Sequence, residues 1–197
     1  MGDFVRTFVA VELAGPQRDR LAALQAQLKK DRLARTVRWV DAENIHLTLK
    51  FLGDVESTRL PEVQRALAAA CRESPAFALS LADAGAFPNL RRPNVIWVGL
   101  SGDLALATAL AKKIDDACAA LGFAPEERPF SPHLTLGRVK REASPAERQG
   151  LGALIEGAKV AANEPMPVER VNLMKSELRP TGSLYTRLGQ FELAGRG

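Results

Sequence analysis

Only two cysteines, Cys71 and Cys118, occur in 197 residues. Two thiols in alanine-rich, helix-like surroundings make neither a disulfide framework nor a zinc spacing, and they fit a reducing compartment. Long apolar runs are missing too: none approaches the roughly 18–20 residues of a membrane helix. The start, Met1-Gly2-Asp3-Phe4-Val5-Arg6, lacks a basic region followed by an apolar stretch, and Arg6 stands where a myristoylation signal carries Ser or Thr. The expectation is an untargeted, cytoplasmic protein. Charge of one sign is also lacking, since 27 Lys and Arg against 23 Asp and Glu leave a net charge of +4. That is a mild bias toward anionic partners, too small to argue for nucleic acid by itself. With 46% hydrophobic and 25% charged residues, the chain is not disordered, and residues 1–197 can bury a real core as one domain or two small lobes.

Histidine is equally scarce, and here the scarcity informs. The only two histidines head the same tetrad, His46-Leu47-Thr48-Leu49 and His133-Leu134-Thr135-Leu136. From leucine and threonine abundance, one such tetrad at a given histidine has a chance of roughly one in a thousand, and two together roughly one in a million. Histidine is the side chain whose unperturbed pKa suits it to act as base or acid near neutrality, so a matched pair reads as a two-proton catalyst.

Around the tetrads, strand-like and helix-like segments alternate. Val5–Leu13 reads as a strand, and Pro16–Arg32 as an amphipathic helix with Leu21, Leu24 and Leu28 on one face. Strands are expected at Val37–Val40 and Ile45–Leu52, the latter ended by Gly53-Asp54, with a polar turn at Asp41–Asn44 between them. A helix over Leu60–Cys71 follows, then a strand within Phe77–Ala86, a loop from Phe87 to Pro93 and a strand at Val95–Leu100. Asp103 caps a helix to Leu121 that Gly122 stops. Phe130–Val139 carries the second histidine. Ser144-Pro145-Ala146-Glu147 is a capping box opening a helix that fades by Lys159. Strands at Val168–Leu178 and Ser183–Leu193, joined by Arg179-Pro180-Thr181-Gly182, close the chain. The order predicts an α+β fold with largely antiparallel sheet, and the repeated tetrad suggests two related lobes facing one another.

Strand alternation places Ile45, Leu47, Leu49 and Phe51 on a core face and His46, Thr48 and Lys50 on the other. His133 and Thr135 stand likewise opposite Leu134 and Leu136. Residues two apart on a strand lie roughly 6.5–7 Å apart, so each imidazole and its threonine hydroxyl reach a common ligand of phosphate size. If the two strands face each other, two imidazoles and two hydroxyls surround one anionic centre. Hydroxyls donate to nonbridging oxygens while one histidine deprotonates water and the other protonates the leaving oxygen. A metal site fits less well, because neither histidine has a second His or a Cys beside it at ligand spacing. Glu43 and Asp54 read as turn residues.

These residues resemble the two-histidine phosphoesterase superfamily, and within it the RNA 2′,3′-cyclic phosphodiesterases historically called 2′-5′ RNA ligases. The resemblance runs through Arg6–Val11, Asn44–Gly53, Phe87-Pro88, Arg92–Gly99, Ser131–Arg138 and Ser176–Tyr185. It implies a bilobal, pseudo-symmetric α+β fold with two largely antiparallel sheets, outer helices and both tetrads in a central groove. It also implies metal-independent opening of an RNA 2′,3′-cyclic phosphate to a 2′-phosphate, with no cofactor. His46 then donates a proton to the departing O3′, His133 activates water, and Thr48, Thr135 and Arg138 hold the phosphate.

Phe8 is the candidate for stacking on a base, with core packing the alternative for it and for Trp39 and Trp97. Arg91, Arg92, Lys140 and Arg141 are candidate contacts to a phosphate backbone, or simply solvated loop charge. The expected partner is RNA with a cyclic phosphate end or a related nucleotide, bound by a monomer with no membrane and no obligate protein partner. Two other readings stay open: a phosphodiesterase of small cyclic nucleotide or ADP-ribose phosphates, and a non-catalytic RNA-end binder. The same acid and base also serve joining to a 5′-hydroxyl through a 2′-5′ linkage.

Overall fold

A computed structural model describes residues 3–160, 164–179 and 182–195. In chain order these form β1 (Phe4–Glu12), α1 (Gly15–Leu28), β2 (Val37–Trp39), β3 (His46–Glu56), α2 (Leu60–Arg72), β4 (Phe77–Phe87) and β5 (Val95–Gly102). There follow α3 (Leu104–Ala119), β6 (His133–Val139), α4 (Pro145–Glu156), β7 (Met166–Val168), β8 (Arg170–Arg179) and β9 (Gly182–Glu192). Of the link expected between the last two strands, Pro180 and Thr181 lie outside the described residues.

Local chemistry explains most of these bounds. Pro16 sits in the first turn of α1, whose Leu21, Leu24 and Leu28 are buried. That helix ends before the expected Arg32, because Asp31 accepts from the Leu33 amide at 2.8 Å and starts a 3₁₀ turn over Arg32–Thr36. In α4 the capping box forms as expected: Glu147 N–H donates to Ser144 Oγ and Ser144 N–H to the Glu147 carboxylate. Asp103 precedes α3 but does not cap it. Its carboxylate accepts instead from the Ala78 amide of β4 at 2.9 Å.

The strands form one antiparallel sheet in the order β7-β4-β5-β6-β3-β1-β8-β9, with β2 added to β6. Two antiparallel sheets were expected. They occur as two halves, which the pairing of Leu47 with Leu134 between β3 and β6 fuses into a continuous sheet. These leucines hold the same place in the two tetrads, and an antiparallel pairing of equivalent residues is locally two-fold. The sequence repeat is thus built into the sheet as a pseudo-dyad.

The four helices cover one face. Leu21, Leu67, Ile114 and Ile155 from them join Leu47, Leu49, Leu134 and Leu136 from the strands in the main core. Cys71 and Cys118 are buried free thiols there, and burial pushes them up to about 12 and about 11. Among the described residues the opposite face carries no α-helix. It holds a small cluster of Phe8, Ala10 and Met174 with Tyr185 against it.

Strict alternation along β3 fails, and the failure matters. Register shifts against β1 fall between Thr7 and Phe8 and between Val9 and Ala10, leaving Leu49 and Leu52 as extra residues in β3. A bulge reverses the facing of everything beyond it. Lys50 consequently enters the interior at 1% exposure, while Phe51, expected in the core, stands out on the helix-free face at 61%. Lys50 donates to Asp115 Oδ1 at 2.5 Å and to the Ala124 carbonyl at 2.9 Å. Nor does Gly53 end the strand. It takes φ +73°, a conformation glycine adopts freely, and β3 continues to Glu56 opposite Phe4.

Candidate active site

His46 and His133 begin β3 and β6 on either side of the Leu47–Leu134 pair. Each is one residue before a core leucine, so both imidazoles leave the helix-free face, followed by Thr48 and Thr135. All four side chains are partly exposed. The antiparallel pairing sets His46 toward Thr135 and His133 toward Thr48.

The two imidazoles are held identically. Nδ1 of His46 lies 2.8 Å from the Asn44 carbonyl, and Nδ1 of His133 lies 2.7 Å from the Ser131 carbonyl. A carbonyl only accepts, so Nδ1 carries hydrogen in both rings and Nε2 is the atom free for chemistry. A neutral ring then presents a lone pair at Nε2, and a charged ring presents a proton there. Neither threonine hydroxyl has a partner among the described residues.

Their surroundings differ. His46 stacks on Phe8 at 4.7 Å and 28°, with Tyr185 edge-on at 5.3 Å. His133 meets the Phe87 ring edge-on at 4.9 Å, and Phe87 leans on Trp97. Across β1 and β3, Glu12 is the register partner of His46, whereas Gly99 is that of His133. Glu12 accepts from Asn172 Nδ2 at 2.6 Å and from Arg187 at 2.5 and 3.0 Å. Burial lowers the His46 pKa, and the Asn44 carbonyl and the Glu12 charge pull it partly back up. A cavity of about 90 Å³ beside His46 is lined by Glu12, Asn44, Met174 and Tyr185 among others.

A bulge in β6 places Arg138. Between β5 and β6 the register shifts at Ile96/Trp97, leaving Leu136 extra, so Gly137 faces the core beside Val37. The Leu136 carbonyl freed there accepts from Val40 N–H and from the buried Gln25 side chain, each at 2.9 Å. Arg138 therefore turns to the face of His133 and Thr135, and it is exposed. It stands five residues after His133, as Phe51 stands five after His46.

The comparisons with known proteins come down on one family. The model described as LigT-like phosphoesterase matches twice, over residues 11–97 and 98–185. The chain belongs to the LigT-like phosphoesterase family. An RNA 2′,3′-cyclic phosphodiesterase of Methanothermobacter thermautotrophicus is 36% identical over 189 residues, 96% of this chain and 99% of that one. One of Thermus thermophilus is 34% identical, over 97% and 91% of the two chains. Among solved structures, E. coli LigT complexed with 3′-AMP superposes with a TM-score of 0.78 at 26% identity, covering 97% and 99%.

In this LigT-like phosphoesterase the two matches divide the chain between the two tetrads. The expected base-stacking role of Phe8 does not fit: the ring is 3% exposed and its face is taken by the His46 imidazole. Trp39 lies against the core and donates to the Ala34 carbonyl at 3.1 Å. Trp97 is on the helix-free face in register with Thr135, its indole over Gly85, and with Leu90 and Arg91 it lines an open cleft of about 620 Å³. Arg92, Lys140 and Arg141 are exposed. Glu43 is a turn residue paired with Arg18, while Asp54, expected in a turn, is inside β3. Among the described residues no three of His, Cys, Asp and Glu converge as metal ligands. No described helix is long and apolar enough to cross a membrane. Sequence reasoning missed Phe51 and Glu12. The motif spacing could have found the first, since Phe51 and Arg138 are equivalent; only the strand register reveals the second.

Proposed function

We propose that this phosphoesterase opens the 2′,3′-cyclic phosphate at an RNA end to a 2′-phosphate by metal-independent acid/base catalysis. The observation that carries the reading is the pair of imidazoles, both fixed through Nδ1 and both offering Nε2 on one face beside two unpartnered hydroxyls. A phosphate between them accepts from Thr48 and Thr135, and Arg138 supplies the charge-assisted contact. His133 takes the proton of the attacking water as the O–P bond forms. His46 gives its proton to O3′ as the P–O3′ bond breaks.

The assignment of donor to His46 and base to His133 is the one the family resemblance implies. Glu12, the register partner of His46, favours the charged form of that ring and so works against the burial that lowers its pKa. Phe8 and Tyr185 hold the His46 ring by their faces and edges. Phe51, exposed and 6.0 Å from Phe8, offers the surface on which the terminal base stacks. An RNA 5′-hydroxyl in place of water gives the 2′-5′ joining reaction with the same proton transfers.

The test is incubation of the protein with a cyclic-phosphate oligonucleotide in excess chelator. Undiminished turnover supports the reading; loss of turnover that a divalent ion restores fails its metal independence.

A further inference from the structure

Arg38 of β2 and Arg138 of β6 are direct cross-strand partners. Val37 and Trp39 on either side of Arg38 pack toward the core, so Arg38 leaves the sheet on the same face as Arg138, His133 and Thr135. Both arginines are exposed, and among the described residues neither guanidinium makes a hydrogen bond or an ion pair. Arg18, Arg59 and Arg187 are used differently, each resting on a carboxylate, as is Arg148, which rests on the carbonyls of Pro93 and Lys140. Like charges directly opposite on a sheet are destabilising. An uncompensated guanidinium pair beside a phosphate-handling site is what an anion with two charges would neutralise.

A cyclic phosphate carries one of those charges and Arg138 meets it. The second charge has to come from the next group along the substrate. A 2′,3′-cyclic mononucleotide with a free 5′-hydroxyl has none, whereas an RNA end has its last internucleotide phosphodiester.

We propose that Arg38 binds the phosphodiester immediately upstream of the cyclic phosphate, making the Arg38–Arg138 pair the feature that selects an RNA end over a cyclic mononucleotide. This rests on the phosphodiesterase reading above. It gives Arg38 a substrate contact that the tetrads do not supply, and it decides between two substrate classes that share every tetrad residue.

The test compares kcat/KM for a 2′,3′-cyclic mononucleotide, its 5′-phosphorylated form and a dinucleotide ending in a cyclic phosphate, with the unsubstituted protein and Arg38→Ala. The dinucleotide is expected to be preferred, and the substitution to shrink the dinucleotide-to-mononucleotide ratio about tenfold, the size of a charge-assisted contact at an exposed site. The 5′-phosphorylated mononucleotide should recover most of the dinucleotide's advantage and lose it in Arg38→Ala. With the dinucleotide, the slope of log kcat/KM against log salt should flatten by about 0.7, one phosphate contact on a single strand. Arg38→Lys should keep part of the preference. Equal efficiency on all three substrates, or a substitution that lowers all three alike, overturns the assignment while leaving the phosphodiesterase reading intact. No turnover of any cyclic substrate by the unsubstituted protein fails both.

Discussion

Leu47 and Leu134 are the residue pair through which β3 and β6 join, and they occupy the same position in two identical tetrads. The pairing sets both histidines on one face with opposite chain directions. From this comes a simple expectation: neither histidine is redundant. His46→Ala and His133→Ala should each reduce kcat on a cyclic-phosphate dinucleotide by at least about 10²-fold, the usual lower bound for one proton transfer. Both side chains are partly exposed, so circular dichroism and thermal melts should show both variants folded. Near-normal turnover by either variant would remove that histidine from the chemistry.

Glu12 should govern one histidine and not the other. Because the chain has only two histidines, an NMR titration of the imidazole carbons contains two curves. In Glu12→Gln the His46 curve should move to lower pH, since a charge that favours the imidazolium is gone, and the His133 curve should stay. Arg187, Glu43, Arg18 and Tyr185 remain around His46 in that variant. Curves that move together, or not at all, would make Glu12 a strand-knitting residue only.

Stability should sense the same imidazole. Burial holds His46 below 6.5 in the folded protein, and the unfolded chain binds the proton more readily. Its contribution is therefore complete above about 6.5, starts to be lost as pH falls below that, and is gone once pH has passed through the lower folded-state value. The urea midpoint of the protein should fall between pH 7.5 and 5, and His46→Gln should flatten that fall. An identical pH dependence in the variant would contradict the assignment.

Lys50 should matter for folding. Its ammonium is inside the protein, held by Asp115 and the Ala124 carbonyl, while Asp115 also accepts from the Glu126 amide. Burial pushes the Asp115 carboxyl up, but Lys50 and the Glu126 amide outweigh it and the net shift is down. Lys50→Ala strands that carboxylate and should cost about 3–5 kcal/mol in denaturant unfolding. A loss below 1 kcal/mol would mean that the pair contributes no more than a surface contact.

Phe51 and Phe8 should separate binding from positioning. Removing an exposed stacking ring weakens base binding by about 1–3 kcal/mol, so Phe51→Ala should act mainly on KM. Phe8→Ala takes away the support under the His46 ring and should act mainly on kcat. The reverse pattern would exchange the two roles.

The element order, the antiparallel pairing and the inward leucines could be read from the sequence, because period-two alternation and capping residues are local signals. The two His-x-Thr units were legible for the same reason. Lys50 and Phe51 were assigned to the wrong faces because the Leu49 bulge is set by the pairing of β3 with β1, which no local pattern announces. Glu12 and Arg38 escaped notice on similar grounds: each becomes interesting only when a residue distant in sequence is placed opposite it.

The position of the phosphate in the product reports which ribose oxygen receives the proton. An oligonucleotide with a 2′,3′-cyclic phosphate end should be converted to a single product, identified by ³¹P NMR as the 2′-phosphate, because the proton of His46 goes to O3′. A 3′-phosphate would contradict the account, since O2′ would then be the leaving oxygen and the proton donor would be delivering to the other ribose oxygen.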